Sequence, residues 1–295
     1  MKEKIMDNYE VIKNYKDIKE LRSRFNDLAK KTFGIDFEDW YQNGYWTDRY
    51  NPYSIVMDGK VVASVSVNHT DFEWNGEVKH FIQLGTVMTD EKYRNQGLVR
   101  KIMEEINADY MDKVDGMYLF AGNDVLDFYP KFGFTPVKQY EYVKEVYDDV
   151  EATARKIAMN EKAQRDKLEQ LIKYGYRQSA FEMKDNSQLN MFYVTKYMQD
   201  CVYYCEDCDA YAVAEIEEGK LILNMVISES EQDLNHIVEC FGKEIHSVVL
   251  GFTPKDTTGF VMREMDQDDR AMHVKGNGWN GFEADKLMIP LLAHA

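Results

Sequence analysis

The chain has 295 residues, 44% of them hydrophobic, and a formal net charge of −16. That length suits two globular units of roughly 150 residues each, and the acidic excess argues against a nucleic-acid partner, because phosphate recognition needs clustered Lys and Arg. No apolar run approaches the roughly 18 to 20 residues needed to cross a bilayer, and MKEKIMDNYE lacks a signal-peptide core, so a cytoplasmic protein without a membrane partner is expected.

Taken in order, YEVIKN reads as a short strand. Ile18, Leu21, Phe25 and Leu28 then share one helical face, with Gly34 as the stop. The acidic, aromatic stretch FGIDFEDWYQNGYWTDRYNPY follows. Strands around YSIVM and KVVASVSV are joined by the turn pair Asp58-Gly59, and a second such pair, Asn75-Gly76, leads into VKHFIQLGTVMT, giving an antiparallel meander. Beyond TDEKYRNQG, Leu98, Ile102, Ile106 and Tyr110 recur every four positions, as on the buried face of a helix. A buried strand MYLFAG, a short helix near DVLDFYPKF ending at Gly133, and a strand in FTPVKQYEYV close a first unit at residues 1–148.

Residues 149–295 form the second unit. A helix carrying Leu168, Leu171 and Ile172 stops at Gly175, SQLNMFYVTKYM is helical, and DAYAVAEIEEGKLILNMVIS holds strands; a helix in DLNHIVECFG and a strand in IHSVVLGF follow. The order of elements repeats that of the first unit without repeating its residues, which fits either a degenerate duplication or an unrelated α/β unit. Cys201-x3-Cys205-x2-Cys208 has no fourth ligand nearby and no standard zinc spacing, so no metal is expected and the thiols read as reduced. The closing GFEADKLMIPLLAHA reads as a final strand packed into the C-terminal core. The fold class is α/β (α+β).

The stretch VMTDEKYRNQGLVRKIMEE carries the chemistry. A buried strand runs through Arg94, Asn95, Gln96 and Gly97 directly into a helix, where unpaired N–H groups and the positive end of the helix dipole meet. Helix starts favour acidic residues, yet this one has Arg94, Arg100 and Lys101. From composition alone, an anion site and a solvated basic turn both fit.

This stretch resembles motif A of the GNAT superfamily of N-acetyltransferases, [Q/R]-x-x-G-x-[G/A], at Arg94 and Gly97. Val99 departs from the usual Gly or Ala at the last position, while keeping its N–H. DFYPKFGF resembles the family's motif B, F-Y-x-x-x-G-F, at Phe128, Tyr129, Gly133 and Phe134. The resemblance covers residues 1–148 and implies acetyl-CoA as cosubstrate, its pantetheine arm bound by the strand Val87, Met88 and Thr89. It further implies that Asn95, Gln96, Gly97, Leu98, Val99 and Arg100, with Arg94, cradle the pyrophosphate, and that Asn123 contacts the pantetheine. It implies a mixed, mainly antiparallel sheet flanked by helices.

Acyl transfer from a thioester to an amine needs a neutral amine, donors for the developing oxyanion and a proton for the leaving thiolate. Tyr129 is the expected acid, as a phenol protonated at neutral pH. His69, Asp71, Glu73, His80 and Gln83 are the candidates near the strands for accepting a proton, with none distinguished by a motif. Asp36, Glu38, Asp39, Trp40, Tyr41, Tyr45 and Trp46 mix carboxylates with aromatic faces, suiting a cationic acceptor. The expected reaction is acetyl transfer to a primary amine of a cationic small molecule or peptide; the runner-up is a non-catalytic acyl-CoA-sensing module. In the second unit the counterpart of the anion loop, ISESEQDLNH, bears Glu229, Glu231 and Asp233 and no glycine. One cofactor site per chain is therefore expected, with the second unit completing the acceptor cleft or a homo-oligomer interface.

Overall fold

The computed structural model describes residues 9–147, 149–267 and 270–295. The N-terminal stretch 1–8, read above for a signal peptide, and Asp148, at the expected unit boundary, lie outside the described residues. The chain runs β1 (Val11–Ile12), α1 (Lys19–Phe33), α2 (Glu38–Gln42), β2 (Tyr50–Met57), β3 (Lys60–Trp74), β4 (Glu77–Thr89), α3 (Leu98–Tyr110), β5 (Gly116–Ala121) and β6 (Thr135–Pro136). It continues β7 (Tyr140–Glu145), β8 (Ala154–Lys156), α4 (Lys162–Tyr174), β9 (Tyr176–Arg177), β10 (Phe181–Lys184), α5 (Ser187–Phe192), β11 (Val202–Cys205) and β12 (Ala210–Glu217). Last come β13 (Lys220–Ser228), α6 (Leu234–Glu239), β14 (Ser247–Leu250), β15 (Val261–Glu264) and β16 (Ala271–Lys275).

Two mainly antiparallel sheets flanked by helices result. The first has the order β1-β2-β3-β4-β5-β16-β6, with β10 also on β3; the second has β15-β7-β14-β13-β12-β11-β8, with β9 on β13. The chain enters the second sheet at β7, ahead of residue 148, and later lends β10 and β16 back to the first. Each sheet has one parallel pair among the described strands, β4 with β5 and β13 with β14, and each pair is joined through a helix. The repeated order of elements is thus repeated geometry: an antiparallel hairpin, a crossover helix and a parallel strand.

The local reasons are those the residue pattern supplies. Leu98, Ile102, Met103 and Ile106 of α3 are buried against Val65, Val67, Ile82 and Leu84 of the first sheet, and each such side chain contributes roughly 1.5–3 kcal/mol. Phe25, Leu28 and Ala29 of α1 cover another part of that sheet, together with Phe37, Trp40, Trp46 and Tyr50. The helix expected near DVLDFYPKF is instead two 3₁₀ turns, Asn123–Val125 and Tyr129–Phe132, with Pro130 in the first turn of the second.

The closing segment departs from expectation. It is not a strand in the C-terminal core but a bridge between the two sheets. Leu291 N–H donates to the Gly251 carbonyl just past β14 (2.8 Å), and Leu291–Ala293 make one 3₁₀ turn. Tyr193 then donates to the His294 carbonyl (2.7 Å), and Ala295 N–H donates to Gln83 Oε1 on β4 (2.9 Å). Local pattern could not show this, since the partners lie far away in sequence.

A buried charge network steadies the bridge. Arg177 Nη1 meets Glu182 at 2.6 Å, while Nη2 donates to Asn190 Oδ1 (3.2 Å) and the Ile172 carbonyl (2.9 Å). Asn190 Nδ2 in turn donates to the Leu292 carbonyl (2.9 Å). Burial pushes the Glu182 carboxyl up and Arg177 opposes it. Removing one partner leaves an uncompensated buried charge. Arg177→Met is expected to cost about 3–5 kcal/mol in urea unfolding, whereas replacing an exposed pair such as Lys162–Asp166 should cost under about 1 kcal/mol.

Candidate active site

β4 and β5 pair only at Phe81 with Gly116, Ile82 with Met117 and Gln83 with Tyr118. Beyond Gln83 the two strands no longer pair, while β5 stays paired with β16 on its other side from Met117 to Ala121. The far half of β4 is bulged: its register against β3 shifts between Ser64 and Ser66, and Thr86 sits at φ 47°. A β-branched residue in the left-handed region is strained; the Thr86 hydroxyl is held by Tyr50 OH at 2.6 Å. The opening between the strands is a cleft of about 870 Å³.

One end of the cleft is the start of α3. Asn95 has φ 61° and Gly97 φ 77°, both left-handed, and the loop passes directly into the helix. The first intrahelical bond runs from Lys101 N–H to the Gly97 carbonyl, so the N–H groups of Leu98, Val99 and Arg100 have no helical acceptor. No acidic residue stands in this first turn and no side chain caps it. Val99 packs partly against the core beneath α3, so its branched side chain is accommodated. Arg94 folds back with Nε toward the Thr89 carbonyl (3.4 Å), and the Arg100 guanidinium lies 5.4 Å from the Phe132 ring centre. The arrangement suits a diphosphate.

Val87, Met88, Thr89, Arg94, Asn95, Gln96, Gly97, Leu98, Val99, Arg100 and Tyr129 all line this cleft. Asn123 does not; it begins an exposed 3₁₀ turn between the lining residues Gly122 and Asp124. Tyr129 is 5% exposed and packs edge-on to Phe128 and Phe134. Burial, with a smaller effect from the Asp124 charge, pushes its phenol up to about 12. It therefore carries its proton at neutral pH.

The structure separates the candidates for accepting a proton. Asp71 holds Arg49 (3.1 Å) and His80 (2.9 Å), Glu73 holds Lys184 (2.9 Å), and His69 packs against the Tyr110 ring. All lie toward the far end of the β3–β4 hairpin. Gln83 alone of that set reaches the cleft, and an amide is no base. The stretch expected to wall an acceptor pocket is also placed elsewhere. Glu38 makes a two-point pair with the buried Arg22 (2.9 and 3.1 Å), whose guanidinium lies 3.5 Å from the Tyr41 ring centre. Trp40 and Trp46 are core, donating to the Gln188 and Tyr50 carbonyls. None of Asp36, Glu38, Asp39, Trp40, Tyr41, Tyr45 or Trp46 lines the cleft, whereas Thr32 and Phe33 of α1 do.

What sequence reasoning missed is the contribution of the closing segment. Arg270, His294 and Ala295 line the cleft beside Tyr129 and Phe120. Gln83 grips Ala295 at two points, Nε2 to its carbonyl (3.2 Å) and Oε1 from its N–H. Gly85 admits this approach: a Cβ there would lie 2.5 Å from the Ala295 carbonyl oxygen. The His294 ring stacks on Phe120 at 4.0 Å, and its Nε2 is buried without a hydrogen-bond partner among the described residues. No sequence signal marks these contacts. Among the described residues, no group of His, Cys, Asp and Glu is placed to hold a metal, and no helix is long and apolar enough to cross a membrane.

A strand that parts from its parallel neighbour, a helix start without acidic residues and a protonated phenol thus share one cleft. The sequence pattern of the acetyltransferase (GNAT) domain matches residues 15–137 of this chain. Solved structures agree on the fold of nearly the whole chain. A probable N-acyltransferase of Enterococcus faecalis superposes with TM-score 0.63 at 16% identity, covering 93% of this chain and 74% of that one. A GCN5-related N-acetyltransferase from Kribbella flavida gives 0.55 at 13% identity (91% and 72%), and Eis1 from Mycobacterium abscessus gives 0.56 at 10% (90% and 72%). A search of curated proteins finds no match.

The half-buried His294 imidazole, with its Nε2 shielded from solvent, makes stability depend on pH. Burial first, then the Arg270 charge, push His294 from 6.5 down to about 4. Between those values the unfolded chain binds a proton that the folded chain does not, so stability falls as pH drops through this window. His294→Phe keeps a ring on Phe120 and removes the titration. Its melting temperature is expected to fall less than that of the unmodified protein between pH 6.5 and 4.

Proposed function

We propose that the chain transfers the acetyl group of acetyl-CoA directly to a primary amine. The observation that carries this reading is the common cleft of the acid-free α3 start and Tyr129. The amides of residues 95–100 receive the diphosphate, aided by Arg94 and Arg100. The unpaired edge of Val87, Met88 and Thr89 receives the pantetheine arm, much as a peptide adds to a sheet edge. In the reaction the amine nitrogen bonds to the thioester carbonyl carbon as the carbon–sulfur bond breaks. The amine's surplus proton passes to solvent, and Tyr129 gives its proton to the departing sulfur before being reprotonated from water. Backbone N–H groups beside the thioester stabilise the oxyanion.

The acceptor we propose is a cationic small molecule or peptide. With the carboxylate and aromatic stretch outside the cleft, this reading rests on the long-range field of a chain of net charge −16, which enriches cations near its surface. The second unit holds no equivalent anion site in this proposal. Asp233 caps α6 with its own carboxylate, accepting from Asn235 N–H (2.8 Å), and the cavity beside β13 that Pro290, Leu292 and Ala293 line is only about 20 Å³.

Two measurements test the proposal. Calorimetric titration should give one acetyl-CoA per chain, and at 100 times the dissociation constant the ligand should add about 2.7 kcal/mol of stability. Gly97→Glu, which brings a carboxylate and a strained φ to the loop, should abolish both effects; two sites per chain would contradict the scheme. Tyr129→Phe should lower the rate of thiol release with spermidine or a lysine-containing peptide by about 10²–10⁴-fold while acetyl-CoA binding is kept. Unchanged turnover would remove Tyr129 as the acid. Tight acetyl-CoA binding with no thiol release on any amine would favour the sensing module.

A further inference from the structure

We propose that His294 and Ala295 limit the acyl group to short chains, because they close the point where β4 and β5 part; the inference rests on the cofactor reading above. From Thr89, beside the α3 start, back to Gly85 is four residues, at most about 13 Å, shortened by the left-handed turn at Thr86. A pantetheine arm laid along that edge from a diphosphate on α3 therefore brings its thioester to Gly85. There the opening ends on the tail. The Ala295 carbonyl oxygen stands 2.5 Å from where a Gly85 Cβ would be, and the His294 ring covers Phe120 on the facing strand.

Both plugs are held from behind. Gln83 fixes both the N–H and the carbonyl of Ala295, and Tyr118 OH braces Gln83 Oε1 at 3.3 Å. Tyr193 OH holds the His294 carbonyl. Ala295 packs against the buried cluster that contains Phe72, Tyr118 and Leu189. In this scheme the acetyl group lies in front of the plug. A longer chain must displace His294 from Phe120 or break the Gln83 grip.

The test needs no knowledge of the acceptor. Dissociation constants for CoA, acetyl-CoA, butyryl-CoA and hexanoyl-CoA are measured by calorimetry on the full chain and on His294→Ala and Gln83→Ala. The unmodified chain should bind hexanoyl-CoA at least about tenfold more weakly than acetyl-CoA, with butyryl-CoA between them. In each variant the two should bind alike, while free CoA keeps its affinity and so reports an intact diphosphate site. Equal binding of hexanoyl-CoA and acetyl-CoA by the unmodified chain would overturn the inference. So would undiminished discrimination in a variant that still binds CoA. Failure of the unmodified chain to bind CoA at all would instead strike the cofactor reading. If one variant fails to fold, the other and the unmodified chain still decide.

Discussion

The two-point grip of Gln83 on the main chain of Ala295 closes the place where β4 and β5 cease to be a sheet. Backbone N–H and carbonyl groups inside a protein must find partners, so two strands that part within a core need something between them. At the vertex that something is the tail of the same chain. Further out, where Val87, Met88 and Thr89 face the cleft, the edge remains open for a ligand. Gly85 and the bulge at Thr86 follow from this arrangement: one lets the tail approach the strand, and the other turns the strand away from its neighbour.

The charges divide the molecule in a way its average conceals. An excess of carboxylates covers the chain, yet the first turn of α3 carries none and is flanked by Arg94 and Arg100. Helix α6, in the corresponding position of the second sheet, is capped by Asp233 instead. Near-identical strand geometry thus has opposite electrostatics at its two helix starts, and only one of them suits a diphosphate. The tail joins the two. Its residues 290–293 settle beside β13 and β14, and its last two residues reach the first cleft.

What the sequence revealed was whatever depends on neighbours in the chain. The α3 periodicity, the turns at Asp58-Gly59 and Asn75-Gly76, and the Arg94-to-Gly97 loop are local, and the structure has them where they were read. The tail's partners lie 212 residues away at Gln83 and 101 away at Tyr193, beyond the reach of any window. The same limit explains Glu38 and Trp40. Their residue types suit a cation site, but Arg22 and a buried aromatic cluster claim them. The exchange of β7, β10 and β16 between the sheets is equally non-local, which is why a single cut near residue 148 could be drawn from the sequence but does not divide the strands.

The central claim is that the α3 start and the open edge of β4 together hold the cofactor. Backbone amide chemical shifts, followed by NMR as CoA is added, read those N–H groups directly. Large shifts should appear at Gly97, Leu98, Val99 and Arg100, with a second set at Val87, Met88 and Thr89, and no comparable change should occur at Leu234, Asn235 and His236 of α6. Shifts confined to α6, or saturable binding that leaves residues 97–100 unmoved, would contradict the account.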